Sequence, residues 1–183
     1  MRRSPILSFV LSGLLVASPV LAETVNQLLH SGPIPTANPK PDPAHVPIVF
    51  GKDIKWTEGP IKGEWQAPLF GDSGKPGIYG VLIKWMPGSN SPPHFHSTDR
   101  YAYVVAGTWW VSSSSIYDRG KMYPVPAGSF VTDIKNAMHW DGNAKQAKEQ
   151  CILLVVGEGP MTSTLWVKKD PNSLEYTPPE TNK

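Results

Sequence analysis

From Ile48 onward the chain never runs far without a Gly, Pro or Asn, and these residues fall at nearly every junction between short apolar runs. Such punctuation works against long helices, because proline lacks the amide hydrogen and glycine and asparagine favour turns. Between the breaks the pattern alternates. Tyr79, Val81, Ile83 and Trp85 fall on one face of an extended segment, and Gly80, Leu82 and Lys84 on the other, which is the period-two signature of a strand. Further strands are expected at 65–70, 101–106, 108–111, 129–132, 151–156 and 165–167. Many short strands with no long amphipathic helical stretch indicate an all-β sandwich or barrel.

The ends read differently. Arg2 and Arg3, the apolar run from Pro5 to Val16 and the small-residue site Val20-Leu21-Ala22 form the pattern of a secretory signal, so residues 1–22 are expected to be removed. The run is short for a bilayer span, so cleavage into a periplasmic or secreted protein is expected rather than a stable membrane anchor. Prolines at 33, 35, 39, 41, 43 and 47 make 23–47 an extended N-terminal arm. The barrel domain is expected over 48–169, and a loose tail over 170–183, where Pro171, Pro178 and Pro179 recur.

Charge excludes one class of partner. Without Arg2 and Arg3 the 17 basic residues become 15, against 15 acidic ones, so the processed chain is formally neutral and lacks the basic surface that nucleic acid requires. Cys151 is the only cysteine. It opens an apolar run and reads as a core residue, so a hydrophobic core rather than disulfides must supply stability.

Three of the five histidines carry the chemistry. His94 and His96 are one residue apart in an extended segment, so their imidazoles share a face. His139 lies beyond a second Gly-led strand. Three imidazoles can hold a divalent transition metal, with Fe, Mn, Ni, Cu and Zn all candidates, and leave coordination positions open. His30 and His45 fall in the arm and read as solvent-facing.

The spacing resembles the cupin superfamily. Gly88, five residues, His94-Phe95-His96, three residues, Arg100, six residues and Gly107 follow the family's first motif, with arginine where that motif has glutamate. Gly128, five residues, Ile134-Lys135-Asn136, two residues, His139, three residues and Asn143 follow the second, with Ile134 for proline and Asn136 for glycine. Asparagine is among the few residues that tolerate the positive φ a turn glycine supplies. The resemblance covers about residues 80–157. It implies a single cupin-type double-stranded β-helix (jelly-roll) barrel, with His94, His96 and His139 as metal ligands inside it. It also implies a homodimer paired through exchanged N-terminal strands, a role the Pro-rich arm would serve.

Arg100 then becomes the decisive residue. At about 5 Å from a dication and an effective dielectric of about 20, its charge would be repelled by about 6–7 kcal/mol. Four outcomes relieve this: pairing with Asp99, Asp133 or Asp141, a guanidinium that swings away, an anion bridging arginine and metal, or no metal at all. The bridging outcome makes Arg100 a substrate-binding residue for an anionic small molecule. Trp109 is the second substrate-binding candidate, one of a crowd of aromatics that includes Trp85, Phe95, Trp110 and Trp140. Arg100, Tyr101 and Tyr103 are the candidates for catalysis. Two functions fit: a small-molecule metalloenzyme of dioxygenase-like or isomerase/lyase-like type, or a non-catalytic ligand-binding or sensing module.

Overall fold

A computed structural model describes residues 41–180; the expected signal segment 1–22 and the expected arm as far as residue 40 lie outside the described residues. Among the described residues thirteen strands run in the order β1 (Thr57–Glu58), β2 (Glu64–Phe70), β3 (Gly77–Trp85), β4 (His94–His96), β5 (Arg100–Ala106), β6 (Thr108–Ser112) and β7 (Tyr123–Pro126), then β8 (Phe130–Asp133), β9 (Trp140–Gly142), β10 (Cys151–Gly159), β11 (Ser163–Leu165), β12 (Val167–Lys168) and β13 (Tyr176–Thr177). Among the described residues the helical structure amounts to two three-residue 3-10 turns.

Two sheets face each other. The first has the order β1-β2-β3-β10-β5-β8, with every neighbouring pair antiparallel. The second is built from β7-β6-β9 and from β11-β4, joined by the backbone bridges His94–His139 and Asn90–Gly142. Between them lies a core that includes Trp85, Val104, Trp109, Val125, Leu153 and Val155. A second cluster, Ala67, Leu82, Ala106 and Ile152, lies under Ile54 and Trp56 from the segment ahead of β1.

Strand β10 therefore buries both faces, with Leu153 and Val155 in one cluster and Ile152 in the other. That is why residues 151–156 read as an unbroken apolar run rather than an alternation. Cys151 is fully buried in this strand, and burial pushes its thiol up to about 12, so it packs as the sequence suggested.

Two turns hold the motif segments in register. Gly107 joins β5 to β6 at φ 71°, and a Cβ there would sit 2.5 Å from the Gln150 carbonyl oxygen. Asn136 adopts φ 60°, the left-handed conformation expected of it, and its amide donates to the His96 carbonyl at 2.8 Å.

The tail departs from expectation. Rather than trailing loosely from Asp170, it brings Tyr176–Thr177 back onto Val167–Lys168, and Glu175 bridges to Ile116. The backbone amide of Tyr117 donates to Leu174, and that of Tyr176 to Ser115. The serine-rich loop after β6 is thus a docking edge for the C-terminus. His45 is exposed beside Asp42, as expected of the arm.

Candidate metal centre

Local backbone geometry assembles the histidines. His94 and His139 exchange both backbone hydrogen bonds, at 2.8 and 2.9 Å, so they form a directly opposed antiparallel pair whose side chains share a face. His96, two residues along β4, adds a third imidazole to that face. Ring centroids are 4.7 Å apart for His94–His96, 4.4 Å for His94–His139 and 5.2 Å for His96–His139. One ligand nitrogen from each of the three lies within 4.8 Å of the others.

Hydrogen bonds fix which nitrogen is free. His94 Nδ1 lies 2.9 Å from the Pro92 carbonyl and His139 Nδ1 lies 3.1 Å from that of Ala137. A carbonyl only accepts, so Nδ1 carries the proton in both rings and Nε2 presents a lone pair. His96 Nδ1 meets the Ser163 hydroxyl at 2.9 Å across the β4–β11 pairing. This is the arrangement in which a ligating imidazole is oriented through its other nitrogen.

The donor set fits a cation. His94 Nε2 and His96 Nε2 are 3.1 Å apart, and two imidazoles bound side by side to one metal at about 2.0–2.1 Å have nitrogens about 3.0–3.4 Å apart. His139 Nε2 is buried and lacks a hydrogen-bond partner, a cost that a ligated metal would remove. Burial, followed by the charge of Arg100 and the neighbouring imidazoles, holds His96 far below the usual imidazole range. Burial likewise lowers His94. Both rings are therefore neutral near neutral pH, the form in which histidine binds metal.

Arg100 resolves in favour of pairing. It stands opposite Asp133 in the β5–β8 ladder, and its Nε and Nη2 both donate to Asp133 Oδ2, at 2.9 and 2.5 Å. Asp133 is buried, and its other oxygen lies 3.2 Å from His139 Nδ1. One carboxylate thus neutralises the guanidinium and touches the histidine cluster. Asp99 instead accepts the backbone amide of Lys135 at 2.6 Å, and Asp141 lies 3.9 Å from His139 Nε2.

The cluster faces a cavity of about 380 Å³ between the sheets. His94, His96, Arg100 and Trp109 line it, together with Trp85, Ile83, Leu153 and Val155. Tyr101 and Tyr103 do not: they alternate with the inward Arg100 and Ala102 on β5, and each is 46% exposed on the outer face. The structure therefore removes both tyrosines from the candidates for catalysis. Trp140 is buried away from the cavity, its Nε1 donating to Ser114 at 2.8 Å.

Sequence reasoning overlooked Glu64, which opens β2, is 5% exposed and lines the same cavity. No motif marks it. Its inward direction follows from register, since it stands opposite Trp85.

The sequence model of the ChrR cupin-like domain matches residues 46–162. The chain belongs to this family. No curated protein matches it. This ChrR cupin-like chain is similar in fold to the polyketide cyclase RemF from Streptomyces resistomycificus, with 22% identity, 69% of this chain and 89% of that one covered, and a TM-score of 0.52. It is also similar to a sugar phosphate isomerase of the cupin superfamily from Silicibacter pomeroyi, with 19% identity, coverage of 74% and 98%, and a TM-score of 0.51. A third neighbour is an RmlC-like cupin protein from Ralstonia eutropha, with 20% identity, coverage of 69% and 73%, and a TM-score of 0.51. At these identities the likeness is one of fold.

Proposed function

We propose that this ChrR cupin-like protein is an exported metalloenzyme that binds a divalent transition metal through His94, His96 and His139 and acts on a small organic molecule in the cavity beside them. The observation that carries this reading is the convergence of three imidazoles, with Nδ1 of His94 and His139 engaged by backbone carbonyls and one ligand nitrogen from each ring within 4.8 Å of the others. A bound divalent cation would supply Lewis acidity and a fixed point for orienting substrate. The residues of the chain do the rest. Trp85, Trp109, Leu153 and Val155 give the cavity an apolar wall, and Arg100 and Asp133 hold each other in place. An anionic group on the substrate would face the cation rather than Arg100, whose charge Asp133 already matches.

Between the two reaction types, buried carboxyls in the wall favour isomerase- or lyase-like proton transfer over dioxygenase-like chemistry. The structural neighbours do not choose, since one is described as a cyclase and another as a sugar phosphate isomerase, and one scaffold hosts many chemistries. A second reading, ligand binding or sensing without turnover, draws on the Arg100–Asp133 pair standing where the family motif has glutamate. The N-terminal sequence supports export with processing before Glu23, and the Pro-rich arm supports pairing of two copies.

Elemental analysis of the protein purified from its native compartment tests the centre. About one transition metal per chain is expected in the wild type and none in His96→Ala, with the intact mass of the same preparation beginning at Glu23. Metal retained in His96→Ala, or refused by the wild type after reconstitution, would overturn the reading.

A further inference from the structure

Glu64 is a buried carboxyl with no counter-ion. It is 5% exposed, its side chain takes one hydrogen bond from another side chain, that of Gln66 Nε2 to Oε1 at 2.5 Å, and the cavity's guanidinium is already committed to Asp133. The turn 59–63 clamps it from behind. The Gly59 amide donates to the Glu64 carbonyl and the Glu64 amide to that of Ile61, both at 2.9 Å. A Cβ on Gly59 would lie 2.8 Å from the Glu64 carboxyl carbon, so the glycine leaves the space that the carboxyl occupies.

Gln66 Nε2 and the Ile61 backbone favour the charge of Glu64, but no free cation among the described residues faces it. Asp141 on β9 repels it, Arg100 on β5 attracts it but is paired with Asp133 on β8, and His94 and His96 on β4 are neutral. An isolated buried carboxylate is costly enough that the group takes up a proton instead. A neutral carboxyl has one donor. With Oε1 accepting from Gln66, that donor sits on Oε2.

We propose that Glu64 is the proton donor of the cavity, a neutral carboxylic acid whose Oε2–H meets an acceptor oxygen of the bound small molecule. This deepens the metalloenzyme reading and rests on its small-molecule substrate. In the transfer the O–H bond of Glu64 breaks, its electron pair stays on Oε2, and the proton forms a new O–H bond on the ligand. The resulting carboxylate, held by Gln66 Nε2–H, recovers a proton from another position of the same ligand, so that donation and recovery add up to a proton shift with no other reactant. Burial first, with the charge of Asp141 adding to it, moves the Glu64 carboxyl above the usual carboxylate range, against the opposing pull of the Gln66 hydrogen bond, the Ile61 backbone and Arg100. Perturbed carboxyls in a cleft are where acid–base function is concentrated.

Infrared spectroscopy of the full chain labelled with 13C-glutamate, apo and zinc-loaded, tests this directly. At about pH 6, where ordinary glutamates are ionised, a carboxylic-acid carbonyl band is expected in the wild type, shifted by the label and absent in Glu64→Gln. The melting temperature gives a second readout. A raised folded pKa stabilises the protein below the unfolded pKa, and that stabilisation is lost as pH rises from about 4.3. The gap between Glu64→Gln and wild type should therefore widen from about pH 4 to pH 7. Should Glu64→Gln fail to fold, the labelled wild-type band alone decides. Absence of that band in a chain that binds zinc would overturn the inference and leave the metal centre standing, whereas the band in a chain that refuses zinc would do the reverse.

Discussion

The two apolar regions that share strands β5 and β10 are built on opposite terms. The outer cluster of Ala67, Leu82, Ala106 and Ile152 contains no polar side chain. The cavity, a few residues along the same strands, gathers His94, His96, Arg100, Asp133, Asp141 and Glu64, with His139 against Asp133 behind them, and Trp109 Nε1 and His139 Nε2 are without partners. Unmet polar groups are expensive inside a protein. The gathering of ionisable side chains along the cavity, beside a layer built from apolar residues, separates the part of the barrel that secures the fold from the part that meets a ligand.

The largest effect should come from splitting the ion pair in the cavity wall. Asp133→Asn leaves Arg100 buried without a counter-charge and is expected to cost about 3–5 kcal/mol in urea unfolding. Adding Arg100→Met should restore most of the loss. A cost well under 1 kcal/mol for the single change would mean that the pair does not anchor the site.

Ile152→Ala cuts into the outer layer instead. The expected loss is about 2–4 kcal/mol, from transfer plus the cavity left behind, with metal content per chain unchanged. A fall in metal content would show that the two regions are not energetically separate.

The smallest effect is a slope. Because His94 and His96 are held below their ordinary range, the unfolded chain takes up protons below about pH 6.5 that the folded chain refuses. Their contribution to stability is present above that pH and lost below it, by about 1.4 kcal/mol per pH unit for each ring in the metal-free protein. His96→Ala should flatten the acid limb of a melting-temperature profile by one such increment, and an unchanged limb would place the destabilisation elsewhere.

His94 and His96 were legible in the sequence because spacing determines their common face on a strand, His139 because it stands at the motif position the family resemblance marks, and Asn136 because few residues accept its φ. Glu64 and the pairing of Asp133 were not, since both follow from cross-strand register, which no local pattern encodes. Strand β7 was hidden by Pro124 and Pro126, tolerated because it lies at a sheet edge. Strand β9 is only three residues long. The tail was misread because its prolines flank, rather than interrupt, the segment that pairs. Tyr101 and Tyr103 were chosen for proximity to Arg100 along the chain, but one step along a strand turns a side chain to the other face.

The returning C-terminus bears on the order in which the molecule can be completed. Tyr176 packs on Tyr117, whose ring lies 4.6 Å from that of Trp140, the neighbour of His139, while Ser163 steadies His96. A ribosome that has released all three histidines still holds back Ser163, which steadies His96, and Tyr176, which packs on Tyr117. A chain stopped just after residue 160 would carry every proposed ligand without Ser163 or Tyr176, so synthesis itself delays a finished centre until these later residues have been made.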